Sequence, residues 1–384
     1  MPRQLHRYDQ PHQLEERREE WIRFGNRCPL AAPFCHPRIW TAWMTPFAEG
    51  KPVVYELRDG GELVALLPLY LERSTLHLAS DRHLDYQDIA ALTDEDAAEL
   101  LAGVAARKAR KGYSLTFEKV AEHSRLHQAL ASPRLAEVAA LRSRYWSICP
   151  FTCFEVPAPG RFSGSLSSRQ RKDFKAARRR LHEACPDPVV EHEFGVAIQR
   201  SSLEQAAALH RGNQYRKKGE SVFGDHDFTG FLERQASSGA PLLLSTLREK
   251  PGGRALAFAL GYFSRDTYYY YLTAYDGSSA ELSPGRVLLI EVLAHCADRI
   301  TGTTLRFDLL CGEESYKTRW ATSFYEVTRF QVIPRRLSHL PQLAIYTAVY
   351  SLKKAKNRLY QWKTGGGYLP GLRHEPPGLV RDAG

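Results

Sequence analysis

The sequence predicts an α/β (α+β) chain of two domains, each a sheet flanked by helices, and three observations carry that expectation. The 384 residues are enough for two ordinary domains with their own cores. Short apolar runs of strand character alternate with longer segments of helical period. Proline and glycine become frequent over 149–160, where the chain is expected to cross into its second domain.

A hydrophobic content of 43% and a charged content of 25% are those of a soluble globular protein. Residues 1–13 are polar and are expected to be flexible, and the first 18 residues lack the apolar core of a signal peptide. No run approaches the roughly 18 consecutive apolar residues of a membrane span, so a cytoplasmic location is expected. The 7 cysteines are odd in number and scattered, which suits a reducing compartment rather than a disulfide framework. Cys28, Cys35 and His36, or Cys149 and Cys153, have no second half at zinc-ligand spacing, so no metal is expected.

The first domain is expected over 14–148. A helix over 37–43 carries Trp40 and Trp43, strands over 52–57 and 63–70 flank the Asp59-Gly60-Gly61 turn, and a helix over 97–112 leads to a strand over 115–119.

The second domain is expected over 149–334. It opens with a basic helix led by Ser167, in which seven Lys/Arg face only Asp173 and Glu183, a charge of about +5. Three readings of that helix stand: a solvated face, a surface for an anionic partner, and, least favoured for want of an accompanying motif, nucleic-acid binding. A helix over 203–218 contains His210, and one over 228–236 precedes strands over 242–247, 255–263 and 266–274. The last of these holds Tyr268, Tyr269, Tyr270 and Tyr271. Ser283-Pro284-Gly285 then reads as a helix start, with Ser283 as cap and Pro284 in the first turn. A buried strand over 305–310 contains Asp308, Gly312 ends it, and Glu313 and Glu314 open a further helix. A strand over 326–333 closes the domain.

Residues 335–364 carry seven Lys/Arg and no acid, +7, so the two basic segments together exceed the chain's +10 and the remainder is slightly acidic. This segment reads as a basic amphipathic helix, docked on protein or lying peripherally on the inner face of an anionic membrane. The Gly- and Pro-rich tail over 365–384 is expected to be disordered.

The order of pieces over the second domain resembles the catalytic half of the GNAT acyltransferase fold. Ser283-Pro284-Gly285, Phe307-Asp308-Leu309 and Gly312-Glu313 followed by Tyr316-Lys317 and Trp320 are similar to the CelD-like branch, the cellulose and exopolysaccharide biosynthesis type. That branch is similar in turn to the Fem-type transferases with tandem GNAT folds. In the first domain, His36-Pro37 through Trp43, Leu66-Leu67-Pro68-Leu69 and Asp85-Tyr86-Gln87-Asp88 resemble its N-terminal part. The resemblance implies two tandem GNAT-like domains, each a mixed, largely antiparallel sheet. It also implies transfer of an acyl group from a thioester, acyl-CoA or an acidic acyl carrier protein, to an amine or hydroxyl of a sugar or cell-envelope precursor. Fem-like transfer from an aminoacyl-tRNA, or a non-catalytic accessory role in polysaccharide synthesis, are the alternatives.

Such chemistry has three needs. Donor phosphates need N–H groups at a helix start, for which Tyr275, Gly277, Ser283, Gly285 and Arg286 are candidates; the usual GNAT loop, Gln/Arg-x-x-Gly-x-Gly/Ala, is reduced here to Ser283-Pro284-Gly285. A general base is worth on the order of a hundredfold to ten-thousandfold, with Asp308 and Glu313 as candidates. The alternative for Asp308 is a structural ion pair with Lys317 or Arg319. The departing thiolate needs a proton or a positive neighbour, which Tyr316 or Lys317 would supply. Asp85, Tyr86, His210 and Tyr271 are acceptor-side candidates. A polar loop capping a strand is the plainer account of Asp85 and Tyr86, and a structural hydrogen bond that of His210.

Overall fold

The computed structural model describes residues 3–80, 82–217, 221–225, 227–335 and 372–374. The chain divides into two compact units. Unit 1 comprises Met1–Trp40, Phe47–Ile148 and Cys311–Gly384, and unit 2 comprises Thr41–Pro46 and Cys149–Leu310.

In chain order, unit 1 begins with β1 (Gln4–Tyr8), α1 (Pro11–Arg27) and the start of α2 (Pro37–Phe47), of which Thr41–Pro46 are counted with unit 2. The hairpin β2 (Lys51–Asp59) and β3 (Glu62–Glu72) follows, then β4 (Thr75–Leu78), β5 (Ala90–Ala91), α3 (Asp94–Ala109), β6 (Ser114–Ala121), α4 (Arg125–Leu130) and α5 (Pro133–Val138). Gly60 and Gly61, at φ +58° and +94°, make the hairpin turn that L side chains resist. Strand β7 (Ala139–Glu155) carries the chain from one unit into the other.

Unit 2 then contains α6 (Ser168–Ala184), β8 (Val189–Phe194), α7 (Arg200–Lys217), α8 (Phe228–Ser237), β9 (Leu242–Arg248), β10 (Ala255–Ser264), β11 (Thr267–Tyr275), α9 (Pro284–Ala297) and β12 (Thr304–Asp308). Its strands lie in the order β7-β12-β11-β10-β9-β8; β11 and β12 are parallel and the other neighbours antiparallel. Ser167 caps α6 through a reciprocal bond with Gln170, so the basic helix starts where the sequence places it.

Beyond Leu310 the chain adds α10 (Ser315–Thr318), β13 (Ser323–Pro334) and β14 (Arg373–His374) to unit 1. The strands of that unit follow the order β1-β2-β3-β4-β6-β13-β7. Its core gathers Val53, Leu67, Leu100, Leu101, Phe117 and Phe330.

Two expectations are corrected here. Of the segment 1–13 expected to be flexible, the described residues 3–13 are ordered: β1 pairs with β2 from Gln4↔Arg58 to Tyr8↔Val54, and Arg3 is held by Asp59, Asp96 and Glu99. The second domain does not run to 334, because β13 pairs with β6 and its Phe330 and Val332 join the core of unit 1. The expected helix over 335–364 and tail over 365–384 lie outside the described residues, except for Arg335 and 372–374. Among the described residues no helix is long and apolar enough to cross a membrane.

Candidate active site

The parallel ladder of β11 and β12 is short. It joins Thr267 to Arg306, Tyr268 to Phe307 and Tyr269 to Asp308, and ends there, while β11 continues to Tyr275. Beyond the ladder Tyr271, Leu272 and Thr273 are half-buried, although Tyr268–Tyr270 are buried. The carboxyl ends of parallel strands, where their partners diverge, are the places where open sheets receive ligands. On its other edge β11 is bulged: Leu272 faces Leu260 and Tyr270 faces Gly261, so Tyr271 is the extra residue. A bulge bends the strand and re-aims the side chains around it. The Tyr271 ring meets Tyr262 edge-on at 5.7 Å.

Asp308 stands at the last rung of the ladder and is 1% exposed. One carboxylate oxygen accepts the Leu310 N–H at 2.9 Å, which holds Leu310 at φ +60°, and the other lies 3.5 Å from Arg306 Nη2. The Arg306 guanidinium itself covers the Phe151 ring at 4.1 Å. Arg306 is a cation paired with Asp308, because alternate residues of a strand point to one face. The bond to Leu310 is an Asx-type turn that stops β12.

At the far end of β11 the chain enters a turn of 3₁₀ helix, Gly277–Leu282, and then α9. Asp276 accepts from Ser278 N at 3.0 Å and from Arg254 Nη1 at 2.6 Å. Ser283 does not cap α9 with its side chain as expected: it sits at φ 54°, ψ 47°, in the left-handed region, and its hydroxyl lies 3.4 Å from Arg180 Nη2 of α6. The Ser283 carbonyl accepts both Arg286 N and Val287 N, at 3.0 and 3.3 Å. Pro284 has no N–H, so among the described residues the Gly285 amide is the one of the first turn with no protein acceptor. A Cβ on Gly285 would come no nearer than 3.8 Å to any atom, Tyr275 Cδ1. Arg286 is half-exposed and 3.7 Å from Asp173, and the Tyr275 carbonyl is held by Asn213 Nδ2 at 2.9 Å.

His210, on α7, is buried, with Nδ1 2.8 Å from Ser221 Oγ and its ring against Phe223. Burial pushes its pKa down to about 4. The rings of His192 and His295 stack at 3.8 Å and are likewise pushed down to about 4, mainly by burial. Their folded pKa values lie below the unfolded value of about 6.5, so this stability is complete above that pH and is lost on acidification toward pH 4. The thermal midpoint is expected to be level above about pH 7 and to fall between about pH 6.5 and 4.5, less steeply in a His192→Gln/His295→Gln variant. An unchanged midpoint over that range would contradict the neutral, buried assignment.

The other expected residues belong to unit 1. Lys317, 4% exposed, donates to Cys311 O at 2.5 Å and pairs with Glu314 at 3.0 Å. Glu313 is exposed and accepts from Tyr145 Oη at 3.0 Å, and Tyr316 is exposed. Asp85 lies 3.5 Å from Lys119 Nζ. Tyr86 is a core residue rather than part of a pocket wall: it is 2% exposed and packs between Phe34 and Tyr325. Among the described residues no group of His, Cys, Asp and Glu is arranged to hold a metal ion.

A parted parallel strand pair, a bulged neighbour and a helix start at the strand's end is an arrangement to compare with known proteins. Residues 168–318 match the family model of the acetyltransferase (GNAT) domain. The GNAT match spans α6 to α10 and so includes β11, β12 and α9. The fold is similar to a crystal structure of FemX, at 13% identity and a TM-score of 0.62, over 89% of this chain and 99% of that one. It is also similar to the C-terminal domain of a putative lysylphosphatidylglycerol synthetase from Agrobacterium fabrum, at 11% identity and a TM-score of 0.54, over 86% and 96%. No curated protein matches the sequence.

Within the GNAT match, the bulge at Tyr271, Gly261 opposite it and Arg180 against the 3₁₀ turn escaped sequence reasoning. The one signal for the bulge was Gly261 inside an otherwise apolar strand, a mark of close backbone approach.

Proposed function

We propose that unit 2 is the catalytic part of an N-acyltransferase that takes its acyl group from a thioester. The observation that carries this reading is the parting of β11 and β12 at Asp308, beside the bulge at Tyr271 and ahead of the start of α9, within the GNAT match. An extended thioester arm would lie along the half-buried end of β11 with its phosphate toward Gly285 and Arg286. The acceptor amine attacks the carbonyl carbon, the C–N bond forms and the C–S bond breaks. The amine proton passes to a base and ends on the departing thiolate, so the reaction is redox-neutral. Asp308 is our candidate for that base.

The residues present fit the arm better than the whole of CoA, since few amides at the start of α9 are open to phosphate. The acceptor we propose is a sugar, amino sugar or cell-envelope precursor, on the strength of the CelD-like resemblance alone. The fold likeness to FemX favours a second reading equally well, a Fem-like transferase using aminoacyl-tRNA.

The test is thiol release from acetyl-CoA with amino-sugar acceptors. An Arg286→Gln variant is expected to raise KM for the donor about tenfold, with kcat little changed, since one charge-assisted phosphate contact is lost. No thiol release, with transfer from aminoacyl-tRNA instead, would favour the second reading.

A further inference from the structure

We infer that the exposed face of α6 docks an acidic carrier protein that presents the acyl thioester on a phosphopantetheine arm. The inference rests on the acyltransferase reading of unit 2 and names the donor's carrier.

Two of the helix's cations are engaged with segments of unit 2 outside the helix. Arg171 bonds Gly164 O and Leu166 O, and Arg180 bonds Glu281 O and approaches Ser283 Oγ. Through Arg180 the helix abuts the turn that opens α9. Ala177 and Leu181 are its buried residues. On the opposite side Lys172, Lys175 and Arg179, at spacings of three and four, form one exposed stripe flanked by Arg178, with Arg169 near the start of the helix. Among the described residues, Arg179 has a partner in Glu183 at 3.6 Å, both side chains being exposed, and Lys172, Lys175 and Arg178 have no carboxylate within ion-pair distance. Like charges concentrated on one helix face repel one another, and an opposite surface relieves that repulsion.

The size of the stripe and the weakness of the phosphate cradle point to the same occupant. From Arg169 to Arg180 the helix extends roughly 16 Å, more than the phosphates of one CoA molecule engage. At the start of α9, Arg286 N and Val287 N are already bonded to Ser283 O, Ser278 N is bonded to the Asp276 carboxylate, and that carboxylate brings negative charge beside the turn. A diphosphate would find Gly285 N, Arg286 and Arg180 there, the last already bonded to Glu281 O. A single phosphodiester asks for less, and the binding energy missing at the turn is supplied by a charged surface alongside. Beside its cations the stripe carries the single imidazole of His182 and no Phe, Tyr, Trp or amide side chain, few groups to stack on or read a base, which favours an acidic protein over RNA.

The experiment compares transfer from an octanoyl-loaded acidic carrier protein and from octanoyl-CoA, in wild type and in Lys172→Glu/Lys175→Glu, with direct binding of the carrier measured in parallel. The expected result is a lower KM for the carrier thioester, raised about tenfold or more in the variant and by added salt, with the KM for octanoyl-CoA unchanged. Equal losses with both donors, or use of octanoyl-CoA with no binding of the carrier, would overturn the docking inference while leaving the acyltransferase reading in place. Consumption of neither thioester would remove the acyltransferase reading, and the inference with it. Binding of tRNA in place of the carrier, lost in the same variant, would assign the stripe to RNA.

Discussion

Asp308→Asn is expected to leave the protein folded and to lower kcat by about a hundredfold to ten-thousandfold, the range a positioned general base supplies. The carboxylate has two separable tasks. As a turn former it accepts the Leu310 N–H at 2.9 Å, and an asparagine oxygen at the same place accepts that bond equally well. As a base it must be anionic, which asparagine cannot be. Asp308→Ala removes both and leaves a buried N–H without its acceptor, at a cost of about 1–3 kcal/mol, with Leu310 no longer pinned at φ +60°. Urea unfolding of the two variants together with their turnover therefore distinguishes the tasks. Full turnover in the asparagine variant would leave Asp308 with the turn alone and move the base elsewhere.

Gly261→Ala is expected to damage the same site from the other edge of β11. A Cβ at Gly261 would stand 2.5 Å from the Tyr269 carbonyl oxygen and 2.5 Å from Tyr268 Cε2. Neither neighbour can yield easily: the carbonyl belongs to the backbone of a central strand, and the Tyr268 ring is fully buried against Phe307. The ladder between β10 and β11 has to open at the bulge, at a cost of about 1–3 kcal/mol for overpacking. The loss of activity is expected to exceed the loss of folded protein, because the displaced residues, Tyr268 and Tyr269, lead directly into the bulge at Tyr271. Gly285→Ala is the control for stability, since its nearest contact would be ordinary at 3.8 Å. Equal stability of the two alanine variants would mean that the close approach at Gly261 carries no weight.

Much of the fold was legible because local chemistry and burial agreed. Asp59-Gly60-Gly61 can hardly be anything but a hairpin turn between apolar runs, and Ser167 with Gln170 forms the reciprocal cap that starts α6. β1 was not legible: an edge strand among polar residues shows no apolar period, and its order comes from pairing with β2 and from the acids around Arg3. The assignment of β13 was hidden for another reason. Its alternating apolar residues announce a strand, but which sheet receives it is decided by pairing with β6, a contact distant in sequence.

The candidate site divided in the same way. Asp308 drew notice as a carboxylate inside an apolar strand, and Pro284 as a helix start. The bonds of Asp308 to Arg306 and Leu310 depend on strand direction and on a left-handed residue, which no composition reveals. The left-handed Ser283 was equally hidden, because Ser-Pro before an apolar run normally reads as a side-chain cap.

The most direct test of the central claim, a thioester arm seated along β11 with its phosphate at the start of α9, is a calorimetric titration with acetyl-CoA and with an acetyl-4′-phosphopantetheine. Saturable binding of both, with affinities within about tenfold of each other and a matching rise in thermal midpoint by mass action, is the predicted result, weakened in both cases by Arg286→Gln. Neither heat nor stabilisation with either ligand would contradict a donor site in unit 2.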